Sequence, residues 1–470
     1  MMSPSGGIGL LSVCLFVVLV VNITAIQMYM GPVRLLRPGL LFVVIALLSL
    51  AVQPGVAAWK NLRQSWVSKA IFVVFLIACT GVALGISPGW TGRYIMNVYS
   101  RNLLIFFLFI LAIRNVRNLA FLMWAFVVSA GIVVVLSQTV LTMEVTRDGL
   151  ARLNGGQTHY DANDLGMIMV MALPLAMLFF FTAKGITKIL SGLTLLGIPV
   201  TIALTGSRGA FLGLVAVAIP ILFALNRIAV FKRILVLAVA VAGLWFSAPP
   251  GYWEQMATLT NVKEDENFTA EYGRKQLALR GFGYMIRHPI AGVGVGNFGR
   301  AEITLSALAK KRLEENLGVP LNPAHNTYVQ VGSEMGIFAF IIWLALIGSG
   351  IVGLWRLRRR LPSSWDWESA ERRFLRQCCL FLPISFLGFA VTSAFLSHAY
   401  TLIAYIIFAF LAGIHLLVRQ ELNNDLRKPV GTQTVTPPLT RPGRRAQLPI
   451  RVRNVAHPAQ GQVSRRLRYR

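Results

Sequence analysis

His325 stands in the stretch Pro323-Ala-His-Asn-Thr-Tyr-Val-Gln-Val-Gly-Ser-Glu-Met-Gly336, on the threshold of an apolar run from Ile337 to Trp355. A neutral imidazole can accept a proton near neutral pH, as a general base must. Arg208, in the turn Thr205-Gly-Ser-Arg208, and Arg274, in Tyr272-Gly-Arg274, carry planar, permanently charged forks suited to two phosphate oxygens at once. Each residue also has a plainer reading. His325 and Asn326 could help cap a membrane helix at its interface, Arg208 could snorkel from a tight turn, and Arg274 could be a solvated loop charge. No Cys/His or His/Asp spacing supports a metal ligand set, and no G-x-S-x-G supports a serine nucleophile.

The elements that must position these side chains are membrane helices. Over 470 residues the chain is 56% hydrophobic and 13% charged, with a mean hydropathy of +0.64, so it has too little charged surface for a soluble protein. Its net charge of +27 does not imply nucleic acid, because the basic residues fall mostly in short loops between apolar runs and in one tail, which is how topology is encoded. Cys14, Cys79, Cys378 and Cys379 lie within or at the edge of apolar runs, which gives them a packing role. No basic residue precedes the run Ile8 to Val21 and no convincing cleavage site follows it, so it reads as the first membrane helix and not a signal peptide.

Runs long enough to cross a bilayer fall near 8–29, 38–56, 69–88, 101–117, 118–141, 164–182, 187–206, 208–226, 232–249, 334–355, 377–397 and 401–418. The expected fold is therefore an all-α polytopic membrane protein of about twelve transmembrane helices. With both termini cytoplasmic, the inside loops carry Lys60 and Arg63, Arg114 and Arg117, Lys184 and Lys188, Arg227 to Arg233, and Arg356 to Arg376. A large extracytoplasmic loop then runs from about 250 to 323, with the shorter loop 143–163 and the turn at Arg208 on the same side. Ala278, Phe282, Met285 and Ile286, and more loosely Leu305, Leu308 and Leu313, predict two short amphipathic helices in the large loop, on or near the membrane surface.

The runs carry no Asp, Glu, Lys or Arg deep in their interiors, unlike proton- or ion-coupled transporters. Polar groups gather outside instead: Asp161, Asn163, Asp164, Arg208, Arg274 and His325. Gly294 to Gly299 match G-x-G-x-x-G, but with no βαβ unit around them they read as a tight turn. Residues 1–418 form the transmembrane domain. Residues 419–470, rich in Pro and Arg, predict a basic disordered tail held near anionic lipid on the cytoplasmic side.

Three segments carry a family resemblance. They are Leu204-Thr-Gly-Ser-Arg-Gly-Ala210, Tyr272-Gly-Arg274 leading to Arg287-His-Pro-Ile-Ala-Gly-Val-Gly-Val-Gly-Asn-Phe298, and His325-Asn-Thr-Tyr-Val-Gln-Val-Gly-Ser-Glu-Met-Gly336. In that order, and with Asn163-Asp-Leu-Gly166 and Leu173-Pro174 upstream, the set resembles the O-antigen ligase and polymerase superfamily. The resemblance implies a GT-C-like, inverting, metal-independent membrane glycosyltransferase of the bacterial inner membrane, with its active site facing the periplasm and no cofactor. It implies an undecaprenyl-diphosphate-linked glycan as donor, with Arg208 and Arg274 on the lipid diphosphate and His325 as the base that activates the acceptor. The acceptor stays open between a lipid A core (ligase), another glycan chain (polymerase) and a protein hydroxyl (O-oligosaccharyltransferase). A transporter or flippase of lipid-linked sugars is the reading from a different class. An aromatic residue often found a few positions after the loop Arg is absent, with Leu277 and Leu279 there instead.

Overall fold

The computed structural model describes residues 7–145, 150–154, 160–224, 229–260 and 270–427. The tail beyond 427 lies outside the described residues. Contacts divide the chain into two units, Met1–Asn424 and Asp425–Arg470, and the account below is of the first.

Apolar runs become helices because a backbone in lipid must satisfy its own hydrogen bonds. In chain order the main elements are α1 (Leu10–Thr24), α2 (Pro38–Val52), α3 (Trp66–Leu84), α4 (Pro88–Ala112) and α5 (Val116–Thr139), then strands β1 (Thr142–Val145) and β2 (Ala151–Asn154). There follow α6 (Ala162–Thr182), α7 (Gly185–Thr205), α8 (Arg208–Ala224), α9 (Val230–Ser247), α10 (Tyr252–Ala257), α11 (Arg274–Arg287), α12 (Phe298–Thr304) and α13 (Ala307–Glu314). The last are α14 (Thr327–Gly348, running on to Arg360), α15 (Ala370–Thr392) and α16 (Leu402–Arg427). Among the described residues, α3, α4, α5, α6, α7, α14, α15 and α16 are the 8 helices long and apolar enough to span a membrane. The apolar helices α1, α2, α8 and α9 are shorter, and they coincide with the remaining predicted runs. The chain is thus a mostly helical, multi-pass membrane protein.

Packing follows the apolar faces. α6 lies against α7, α8 and α15, α1 against α2 and α5, and α3 against α14. α16 is apolar all round over Leu402–Val418 and is buried along most of its length, with Tyr405 and Phe408 edge-on to the buried Trp343 of α14. Cys14, Cys378 and Cys379 are buried and Cys79 partly so, all as free thiols.

Four sequence expectations change. The helix predicted to begin at Glu334 begins at Thr327, because Asn326 caps it by accepting from the backbone N–H groups of Tyr328 and Val329 (2.9 and 3.1 Å). Glu334 therefore lies inside a helix and is buried, contrary to the expectation of runs without interior acids. It is tolerated because three donors serve its carboxylate: Gly296 N–H and Phe298 N–H at 2.9 Å and the Tyr400 hydroxyl. These bonds fix the glycine turn, in which Gly292, Gly294 and Gly296 all take positive φ.

α11 covers the predicted amphipathic stretch, with Phe282 and Ile286 exposed and Leu277, Gly281, Tyr284 and Met285 buried against the protein. Tyr284 turns inward to donate to the buried Glu302 (2.8 Å), which Arg280 also holds at 2.7 Å. The hairpin β1–β2 was not expected within the loop 143–163, although Asp148-Gly149 is a hairpin turn signal in the sequence. The final helix runs to Arg427, so 419–427 is ordered helix and not tail, and Glu421 pairs with Arg372 at 3.2 Å.

α14 is broken at Gly336, with φ 81° and ψ −178°, a region essentially open to glycine alone. The break is stitched by the loop before α12: Ile337 N–H donates to Pro289 O and Val293 N–H to Ser333 O, both at 2.8 Å. A β-carbon at 336 would collide with Pro289 O. Gly336→Ala is therefore expected to cost at least about 1–3 kcal/mol, seen as a lowered midpoint of thermal unfolding in detergent. An unchanged midpoint would show that the break is not held in place.

Candidate active site

The polar loops converge at one end of the bundle, beginning with the start of α6. Asp161 caps that helix by accepting from Asn163 N–H (2.8 Å) and Asp164 N–H (2.9 Å), and the Asp164 carboxylate reaches back to Asp161 N–H at 3.1 Å. Arg152 of β2 fastens this cap to the turn between α7 and α8, donating to Asn163 Oδ1 (2.7 Å) and Thr205 O (3.0 Å). That turn reverses the chain because Gly206 takes φ 56°, which puts Arg208 at the first position of α8. Gly166 lies where a β-carbon would meet Ala210 and Ser207, so small residues let the two segments close up.

The segment between α15 and α16 completes the floor. His398 bonds Asp164 through Nε2 and Thr401 through Nδ1, both at 2.7 Å, and its N–H donates to Thr327 Oγ1 at 3.0 Å. Thr327 in turn donates to Leu396 O (2.8 Å), and Ala399 N–H donates to Gln330 Oε1 (3.1 Å). The cap of α6, the start of α14 and the entry to α16 are thereby one hydrogen-bonded unit.

His325 sits on that unit in a left-handed backbone conformation, φ 48°, uncommon for a residue with a β-carbon. Its N–H donates to Ser397 Oγ at 2.9 Å, and Asn326 immediately starts the helix. The side chain is part-buried. Burial first, and then the positive charge of Arg274, hold its pKa below the ordinary histidine value of 6.5, partly offset by Asp161 and Asp164. The imidazole is thus kept neutral and able to accept a proton at pH 7.

Arg274 opens α11, and its guanidinium lies over the Phe395 ring, 5.9 Å from the centroid. Arg208 donates to Thr258 Oγ1 at 2.7 Å, and its neighbour Gly209 packs on the same Phe395 ring. Arg274 and His325 thus meet one turn, at Phe395 and Ser397, and Arg208 enters its helix beside it through Gly209, which packs on Phe395. Sequence reading singled out Asp164 but not its pairing with His398, for which no local signal exists across 234 positions of chain. Phe395 and Ser397 were missed altogether. Among the described residues no group of three or more His, Cys, Asp or Glu side chains is placed to hold a metal.

Residues 192–344 match the family model described as O-antigen ligase, a span that contains Arg208, Arg274 and His325. The match spans about a third of the chain and supports membership of the O-antigen ligase superfamily, and with it a membrane glycosyltransferase-like enzyme of ligase- or polymerase-type glycan transfer. No curated protein matches the chain.

Proposed function

We propose that this protein transfers a glycan from an undecaprenyl-diphosphate-linked donor to an acceptor hydroxyl, in the manner of an O-antigen ligase, at the periplasmic face of a bacterial inner membrane. The observation that carries this reading is that Arg274 and His325 are seated on one turn, Arg274 over the Phe395 ring and the His325 N–H on Ser397 Oγ. A glycosyl diphosphate leaves without a proton if cations hold its charge, so Arg274 and Arg208 take the leaving group while His325 accepts the acceptor's proton. The acceptor oxygen attacks the anomeric carbon as the bond to the diphosphate oxygen breaks. A single in-line displacement inverts that carbon and forms no glycosyl-enzyme intermediate. With arginines in the electrostatic role, no divalent ion is needed. The test is purified protein in lipid nanodiscs with lipid-linked donor and a lipid A-core acceptor. Transfer with inverted stereochemistry that persists in a chelator is expected, and inhibition by chelator that magnesium reverses would overturn the mechanism.

The orientation has support in how the loops sort. Arg117 pairs with Glu371 (3.6 Å) and Arg373 reaches Thr182 O (3.2 Å), so basic loops assigned to the inside meet at one end of the bundle. Ile86 N–H donates to Val293 O (3.0 Å), and Asp164 meets His398, so the loops assigned to the outside meet at the other. All twelve apolar helices then cross the membrane, the shorter four included, and each short loop on the cytoplasmic side carries basic residues, as topology requires. Reporter fusions at Lys310 should respond as periplasmic and fusions at Ser363 as cytoplasmic. The reverse pattern would place the site on the wrong side for the donor.

The state of His325 sets the pH response. As its pKa is held below 6.5, the neutral base persists as pH falls through 6.5 and is lost only below it. The acid limb of kcat/KM should therefore lie below pH 6.5, and a limb above that value would count against His325 as the base.

A further inference from the structure

A cavity of ≈ 250 Å³ adjoins the site without sharing its arginines. Its walls include Trp90 and Tyr94 of α4, Arg300 of α12 and Asn322, together with Ala324 and Gln330. Trp90 is held edge-in by a bond from Nε1 to Gly296 O (2.8 Å), and the Arg300 guanidinium lies 4.5 Å from its ring centroid. Tyr94 is set edge-on to Tyr400 at 5.6 Å.

We propose that this cavity is the subsite for the acceptor saccharide, a refinement that rests on the glycan-transfer reading above. Aromatic faces pack against the C–H faces of a sugar ring, while the polar side chains of Arg300, Asn322 and Gln330 in the wall bond its hydroxyls, and the volume is on the scale of one ring. The assignment to acceptor rather than donor follows from placement. In an in-line displacement the nucleophile and the leaving group lie on opposite sides of the anomeric carbon, so the acceptor must come to the base from somewhere other than the diphosphate cations. The cavity meets that condition: Ala324 in its wall directly precedes His325, Gln330 ties it to the His398 turn, and neither Arg208, Arg274 nor Phe395 lines it.

The test is made on the full-length protein in nanodiscs with Trp90→Ala and, at an exposed side chain less able to disturb folding, Arg300→Ala. In transfer kinetics each is expected to raise the KM for acceptor about tenfold, the loss of one stacking or charge-assisted contact, with kcat and the KM for donor little changed. Direct binding is read by saturation-transfer NMR with two probes, the core oligosaccharide released from rough lipopolysaccharide and the delipidated repeat-unit glycan. Whichever glycan binds the wild type should lose its signal in both variants and keep it in His325→Ala. A raised KM for donor alone, undiminished glycan binding in both variants, or no binding of either glycan to the wild type overturns the subsite. Glycan binding that depends on Trp90 and Arg300 in a protein that performs no transfer would uphold the subsite and fail the transfer reading, so the two are separable.

Discussion

His325→Ala should lower glycan transfer by at least about a hundredfold, the lower range for removing a general base, while leaving the protein inserted and folded. The expectation of an intact fold rests on where the structural bonds lie. The His325 N–H to Ser397 Oγ bond is a backbone bond that alanine keeps, and the cap of α14 belongs to Asn326. Some destabilisation from alanine at φ 48° is expected, so turnover is to be compared at matched thermal stability. His325→Gln separates shape from basicity: it can hydrogen-bond a hydroxyl but cannot take its proton, and it should be as inactive as alanine. In the purified assay, near-normal transfer by either variant would remove His325 from the chemistry.

Arg274→Ala should be of similar severity, about a hundredfold or more, because it deletes a preorganised charge opposite the departing diphosphate. It also removes the cation that helps hold the His325 pKa down, so the residual activity should show its acid limb moved to higher pH. That displacement distinguishes a charge beside the base from a remote structural arginine. Arg208→Lys is milder in charge but not in geometry. A point charge loses about one charge-assisted hydrogen bond, about 1.5–3 kcal/mol, or roughly ten- to hundredfold in rate. Arg274→Ala with wild-type transfer, or with an unmoved acid limb, would show that the arginine acts elsewhere.

Much of this was written in local sequence. The apolar runs set the helices because lipid leaves the backbone no alternative, and the ordered segments around Arg208, Arg274 and His325 pointed to the family. The Gly292 to Gly299 turn was legible for the same kind of reason, since φ values of 61°, 92° and 74° at Gly292, Gly294 and Gly296 are cheap only for glycine. Helix starts were less legible where a polar first turn is buried by tertiary partners. Val329, Gln330, Ser333 and Glu334 resemble a loop by composition, yet they form the first turns of α14 because α11 and the glycine turn cover them.

Only the tertiary structure decided which polar residues share a site. The His398–Asp164 pair, the Arg274 guanidinium over the Phe395 ring, and the Trp90 and Tyr94 platform each join positions far apart in the chain. Periodicity reports which face of a helix is apolar, but not which neighbour that face meets. For the same reason periodicity did not report that Tyr284 of α11 turns inward, where its hydroxyl donates to the buried carboxylate of Glu302.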